Sequence, residues 1–150
     1  MNAYLSRLIA HMRWADRIVA DALERDAEPE AVRLFAHIAS VEHLWYSRIM
    51  EQEPAHAVWP DLSVAEARSL AEAHADLFDR LLRDTGDDSL ARSITYRNSA
   101  GRTYENTLAD IVIHTAVHGE HHRGQIARLL RAAGREPPYT DYIQYARRDQ

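Results

Sequence analysis

TLADIVIHTAVHGEHHRGQIARLLRAA, residues 107–133, is the stretch on which the reading of the whole chain depends. At about 100° per residue, Leu108, Ile111, Val112, Ile126, Leu129, Leu130 and Ala133 fall on one apolar stripe of a single long helix. Four of the nine histidines lie in the same stretch: His114, His118, His121 and His122. On the wheel His122 falls near the middle of the stripe and His118 on its flank, while His114 and His121 turn progressively away. Arg123 and Glu120 lean outward. Two imidazoles one turn apart thus interrupt a core-facing surface, and buried ring nitrogens need partners. Histidines at i and i+4 stack on one helix face, where both can coordinate one metal ion. The competing reading is a pair of packed, hydrogen-bonded core histidines. Gly119 and Gly124 each cost about 1 kcal/mol against alanine in mid-helix. That points either to a close neighbour or to tolerated defects.

Upstream, residues 3–25 carry Leu5, Leu8, Ile9, Met12, Ala15, Ile18, Val19, Ala22 and Leu23 at helical spacing. His11 shares a side with Trp14 and reads as a surface residue or a partner to a ligand. Pro29 suits the first turn of a second helix, residues 30–52, with Leu34, Ile38, Val41, Trp45 and Ile49 inward. His37 flanks that stripe, and His43 lies almost opposite its centre. If this helix supplies a third ligand, periodicity favours His37, with His43 as the alternative. Glu42 is inward enough to support a ligand or to act as an oxygen ligand. Otherwise it is a bundle-edge residue paired with an arginine.

The segment EPAHAVWPDL, residues 53–62, reads as a loop whose His56 and Trp59 could rim a pocket. Ser63 with Glu66 forms a capping box for a third helix running to about residue 83, with His74 in its apolar set. Residues 84–88 read as a turn. Ser93-Ile-Thr-Tyr-Arg97, a turn at Asn98–Gly101 and residues 102–105 read as a short β-hairpin leaning on the helices. Asn106 or Thr107 caps the last long helix, and Gly134 follows its end. The tail has two prolines and then Tyr139, Tyr142, Ile143 and Tyr145, too apolar for a disordered end. It reads as a short helix over the bundle or a cover for a dimer seam. The expected fold is all-α: a four-helix bundle with a hairpin before the last helix, in which the long connection between helices two and three suits either a crossover (up-down-down-up) or a simple up-down topology.

A chain of 150 residues fits one domain, 1–150. Its net charge of −5 and scattered basic residues argue against a nucleic-acid partner. There is no cysteine, so no disulfide, thiolate ligand or cysteine nucleophile is available. The amino terminus lacks signal-peptide architecture, and no apolar run approaches the ~18 residues of a membrane span. The expectation is a cytoplasmic protein with no membrane partner.

Trp14-Ala15-Asp16, Ala36-His37-Ile38 with Glu42 and Leu44-Trp45, the run HGEHHRGQIARLLRAAG and Pro137-Pro138-Tyr-Thr-Asp141-Tyr-Ile together resemble the DinB family. These are small bacterial four-helix proteins similar in fold to the bacillithiol and mycothiol transferases. The resemblance runs nearly the full length, the helix-four motif is its most specific part, and it implies the bundle with a long crossover between helices two and three. It implies a divalent metal held by His37, His118 and His122, the three histidines that periodicity also favours. It further implies transfer of a low-molecular-weight thiol onto a small-molecule substrate in detoxification or stress response, and, with the apolar first helix, a homodimer. Val117 stands where the family frequently has asparagine, which removes a possible hydrogen bond but no ligand.

Three imidazoles suit Zn²⁺ or Ni²⁺ best, with Fe²⁺ or Cu²⁺ also accommodated, and are poor hosts for Mg²⁺ or Ca²⁺. With three protein ligands one position stays open, which suits thiol transfer or metal-dependent hydrolysis. A non-catalytic metal- or ligand-binding stress protein and a metal-free bundle are the remaining readings.

Overall fold

The computed structural model describes residues 1–148. Four long helices dominate it: α1 (Asn2–Arg25), α2 (Pro29–Ile49), α3 (Val64–Asp84) and α4 (Leu108–Ala132). A 3₁₀ turn at Asp87–Ala91 and a hairpin of β1 (Ser93–Arg97) and β2 (Thr103–Thr107) separate α3 from α4. A short α5 (Tyr142–Ala146) ends the described chain.

Local chemistry sets the helix starts. Ser63 and Glu66 form the reciprocal capping box at α3, and Thr107 with Asp110 forms a second at α4. Pro29 opens α2, where the Glu28 carboxylate accepts from the Ala31 N–H at 2.6 Å. At the far end of α4, Gly134 takes φ +75°, the left-handed conformation that the sequence position predicts.

The core divides into two layers that reveal the topology. One joins Val19 and Leu23 of α1, Leu34 to Ala39 of α2, Ala67 and Ala71 of α3, and Ile126 and Leu130 of α4. The other joins Leu5, Ile9 and Met12 of α1, Ile49 of α2, Phe78 and Leu82 of α3, and Leu108, Ile111 and Val112 of α4. The C-terminal half of α1 therefore meets the N-terminal halves of α2 and α3 and the C-terminal half of α4. Helices α1 and α4 run one way, and α2 and α3 the other. Joining the parallel pair α2 and α3 forces residues 50–63 to travel back along the bundle. That crossover is what brings a loop over the middle of α2.

The hairpin pairs Ser93 with Thr107 and Arg97 with Thr103, so β2 feeds straight into α4. It begins one residue later and ends two later than residues 102–105. Residues 87–91 form 3₁₀ rather than plain turn because Leu90 is drawn into the core beside Ile94. Helix α2 stops at Ile49, short of residue 52, in a Schellman closure: Gln52 N–H donates to Ser47 C=O at 2.9 Å and Glu51 N–H to Arg48 C=O at 3.3 Å. Glu51 occupies the left-handed position there at φ 55°. Among the described residues no helix is long and apolar enough to cross a membrane.

Candidate metal centre

His37 on α2 meets His118 and His122 on α4, and one ligand nitrogen from each lies within 4.8 Å of the others. The Nε2 atoms of His118 and His122 are 3.2 Å apart. At zinc–nitrogen bonds of about 2.0–2.1 Å, tetrahedral angles place two nitrogen ligands about 3.3 Å apart, so the pair is already at ligand spacing. The donor set is all imidazole, which fits a borderline divalent ion and not Mg²⁺ or Ca²⁺.

Neighbouring groups aim the rings. His37 donates Nδ1–H to the Val58 carbonyl at 2.7 Å, which leaves Nε2 unprotonated for a ligand role. His122 donates Nδ1–H to Gln125 Oε1 at 2.7 Å, and the Gln125 amide in turn donates to His121 Nε2 at 3.2 Å. Trp59 stacks flat on His37, ring centres 3.8 Å apart and planes 8° from parallel, and Arg33 lies 4.8 Å from the same indole. Both Val58 and Trp59 come from the crossover, pinned by Ser40 Oγ–H donating to the Ala57 carbonyl. Burial holds the His37 ring below its ordinary pKa despite the opposing Val58 bond. His118 is pushed down to about 3 by burial and then by His122, His37, His114 and His121. Such rings keep their lone pairs at neutral pH, the state in which imidazole binds a metal.

The centre of α4's buried face differs from the helical-wheel expectation. Arg123, expected to lean outward, is 1% exposed, while His118 and His122 are only half-buried beside it. Gly119 explains the inversion: a Cβ there would lie 2.9 Å from Arg123 Nη1, so the absent side chain is the space in which the guanidinium lies. Arg123 Nη1 donates to Asp16 at 2.7 Å and Nε to Glu120 at 3.1 Å. Glu120 also accepts from Thr140 Oγ at 3.2 Å, so it ties the tail to α4 rather than facing away.

Glu42 is likewise no bundle-edge residue. It is 1% exposed, outside the histidine cluster, and no donor from a nitrogen or hydroxyl reaches its oxygens. Burial and then Asp16 raise its pKa well above the carboxylate range, against the pull of Arg123; burial also raises Asp16. The raised pKa favours a protonated Glu42 whose carboxyl hydrogen-bonds Asp16, and Asp16 accepts from Arg123 as well. A buried Glu42–Asp16–Arg123 chain separates the two apolar core layers.

The other histidines have different work. His11, read as a surface residue or a partner to a ligand, is 3% exposed; its Nε2–H donates to the Thr140 carbonyl at 2.6 Å, and Tyr142 and Tyr145 edge onto its ring. It anchors the apolar tail. His43 points away from His37 toward α3, accepting from Ala55 N–H at 2.8 Å and donating to His74 Nε2 at 3.0 Å, while His74 donates to the Leu70 carbonyl at 2.8 Å. His74 is buried as its apolar setting predicts. His114 is exposed against Trp45, ring centres 4.9 Å apart.

Val58 had no signal in the sequence, since it acts through its backbone, while Gln125 lay within the helix-four motif without a role of its own. Trp59 was visible as a pocket-rim candidate.

No curated protein matches the chain. The family model described as DinB family matches residues 11–150, spanning Asp16, all three clustered histidines and Arg123, and the chain accordingly belongs to the DinB family.

Proposed function

We propose that His37, His118 and His122 bind one divalent transition ion, zinc or nickel foremost, and that the protein uses it to transfer a low-molecular-weight thiol onto a small electrophile. The observation that carries this reading is the convergence of three imidazole nitrogens within 4.8 Å, two of the rings oriented from behind by hydrogen bonds. An ion held by three imidazoles keeps a coordination position open and favours deprotonation of a thiol or water placed there.

The chain's own residues orient and shield. Trp59 walls the site on the His37 side, and the Val58 carbonyl and Gln125 keep the ring tautomers that expose Nε2. Because the chain has no cysteine, the sulfur must come from a second substrate. In the overall reaction the thiol loses its proton, sulfur bonds to the electrophilic carbon, and the leaving group departs with its electron pair.

Metal analysis of untagged protein beside His118→Ala tests the site. About one ion per chain in the wild type, lost in the variant, is the expected result for a three-ligand site. No metal after incubation with Zn²⁺ or Ni²⁺ would overturn the proposal. Thiol consumption against an electrophile panel then tests the chemistry; turnover that needs no thiol would instead assign a hydrolase using bound water.

A further inference from the structure

Near the histidine cluster runs a groove that holds a guanidinium with no counter-ion among the described residues. Arg48, half-buried near the end of α2, lies 4.4 Å from the Trp45 ring and 4.7 Å from the Tyr96 ring, and those rings meet edge to face at 5.0 Å. It donates to the Arg97 carbonyl at 3.2 Å. Among the described residues no carboxylate forms an ion pair with it, and the other arginines that lack one there are all exposed, whereas Arg48 is half-buried. Burial lowers its pKa, opposed only by Tyr96. A partly desolvated guanidinium braced by two aromatic faces and left without an anion is built to receive one.

The surrounding space suits a small molecule. A cavity of about 690 Å³ opens between the crossover and the hairpin, lined by Arg48, Val58 and Tyr96 among others. A second of about 230 Å³, lined by Trp45, Tyr96 and His114, shares the Tyr96 wall. The three clustered histidines line neither cavity, but each cavity is one residue away from them: Val58 carries the carbonyl that holds His37, and the His114 ring centre is 5.7 Å from that of His118. The other charges lining the larger cavity are Glu51, Glu53 and Arg97. The two carboxylates set the groove against multiply charged anions. Glu51 keeps its side chain there although its backbone sits at φ 55°, where glycine would be easier.

We propose that Arg48 is a specificity residue that receives the carboxylate of an elongated monocarboxylate substrate, whose apolar body lies along Trp45 and whose reacting end reaches the histidines. This rests on the proposed function for what happens at the far end. Residues 37 and 48 are separated by ~16 Å along the helix axis at 1.5 Å per residue, so a very short molecule cannot serve both ends.

Metal-free protein titrated with octanoate and with 1-octanol, followed through the Trp45 indole N–H resonance, reads the groove alone. Octanoate should bind at least about tenfold more tightly, as a charge-assisted bond to a guanidinium allows. Arg48→Met keeps the contact with both rings and should abolish that preference while circular dichroism stays helical. Equal affinities in the wild type, or a preference that survives in Arg48→Met, overturns the proposal.

Zinc-loaded protein titrated with 8-mercaptooctanoate, octanoate and 3-mercaptopropionate reads both ends together, and 8-mercaptooctanoate should bind more tightly than either of the others. Octanoate selectivity without any gain from the sulfur would sink the thiol chemistry and leave the Arg48 site standing. A gain from sulfur that ignores Arg48→Met would sink the Arg48 site and spare the thiol chemistry.

Discussion

Two glycines five residues apart on α4 should respond to alanine in opposite directions. Nothing lies within 4 Å of a Cβ built on Gly124, so Gly124→Ala should deliver the ordinary helix gain of about 1 kcal/mol. At Gly119 the same Cβ would sit 2.9, 3.2 and 3.3 Å from three atoms of the Arg123 guanidinium. An arginine tip usually swings aside at little cost. This one is 1% exposed and held at 2.7 Å by Asp16, so moving it weakens a buried charge-assisted bond worth about 1.5–3 kcal/mol. Set against the same helix gain, Gly119→Ala should lose about 0.5–2 kcal/mol, a difference of about 1.5–3 kcal/mol between the variants. Urea unfolding followed by circular dichroism reads both midpoints. A Gly119→Ala midpoint at or above wild type would refute the argument that the missing side chain makes room for Arg123. Adding Arg123→Met should remove most of the penalty, since the clash disappears, and the resulting double-mutant cycle measures the coupling directly.

Three further outcomes follow from other sites. Glu51→Gly should stabilise the protein by about 0.5–1 kcal/mol by relieving the left-handed backbone at the end of α2; an unchanged or lowered urea midpoint contradicts that. Trp59→Ala strips the stacked face from His37 and should weaken zinc affinity about tenfold or more without losing the one-to-one stoichiometry, as titration against a chelator can show. The Ala55–His43–His74–Leu70 hydrogen-bond chain requires both rings neutral, and burial, then His74 and His56, bring His43 from its ordinary 6.5 to about 4. A pKa depressed by folding contributes stability that is present above pH 6.5 and lost as pH falls through about 4. Denaturation curves for metal-free protein between pH 7 and 4 should therefore slope more steeply in wild type than in His43→Gln, and parallel slopes would count against the chain's role.

The buried Glu42–Asp16–Arg123 chain puts ionisable groups where apolar side chains would pack more cheaply. Its position between the two core layers makes it a register device: sliding α1 or α4 by a turn would leave a buried charge without its partner.

Much of this molecule was legible in the sequence because periodicity and capping act locally. Apolar spacing marked the four long helices, Ser63 with Glu66 and Gly134 marked boundaries, and alternation marked the hairpin. The same periodicity, with the family motifs, selected His37, His118 and His122, and the structure brings those three together. What one helix presents to three neighbours is not local, and there the wheel failed. It placed Arg123 outside and His122 at mid-stripe because it counts only hydropathy along one helix. A buried arginine becomes affordable only when Asp16, 107 residues away, supplies the opposing charge. The loop carbonyl that orients His37 depends likewise on the parallel course of α2 and α3, which sends the crossover back along the bundle. Local propensity determined the elements and the ligand candidates; tertiary structure alone decided which charged groups could be buried and which backbone atoms hold the site, because desolvation is offset only by partners distant in the chain.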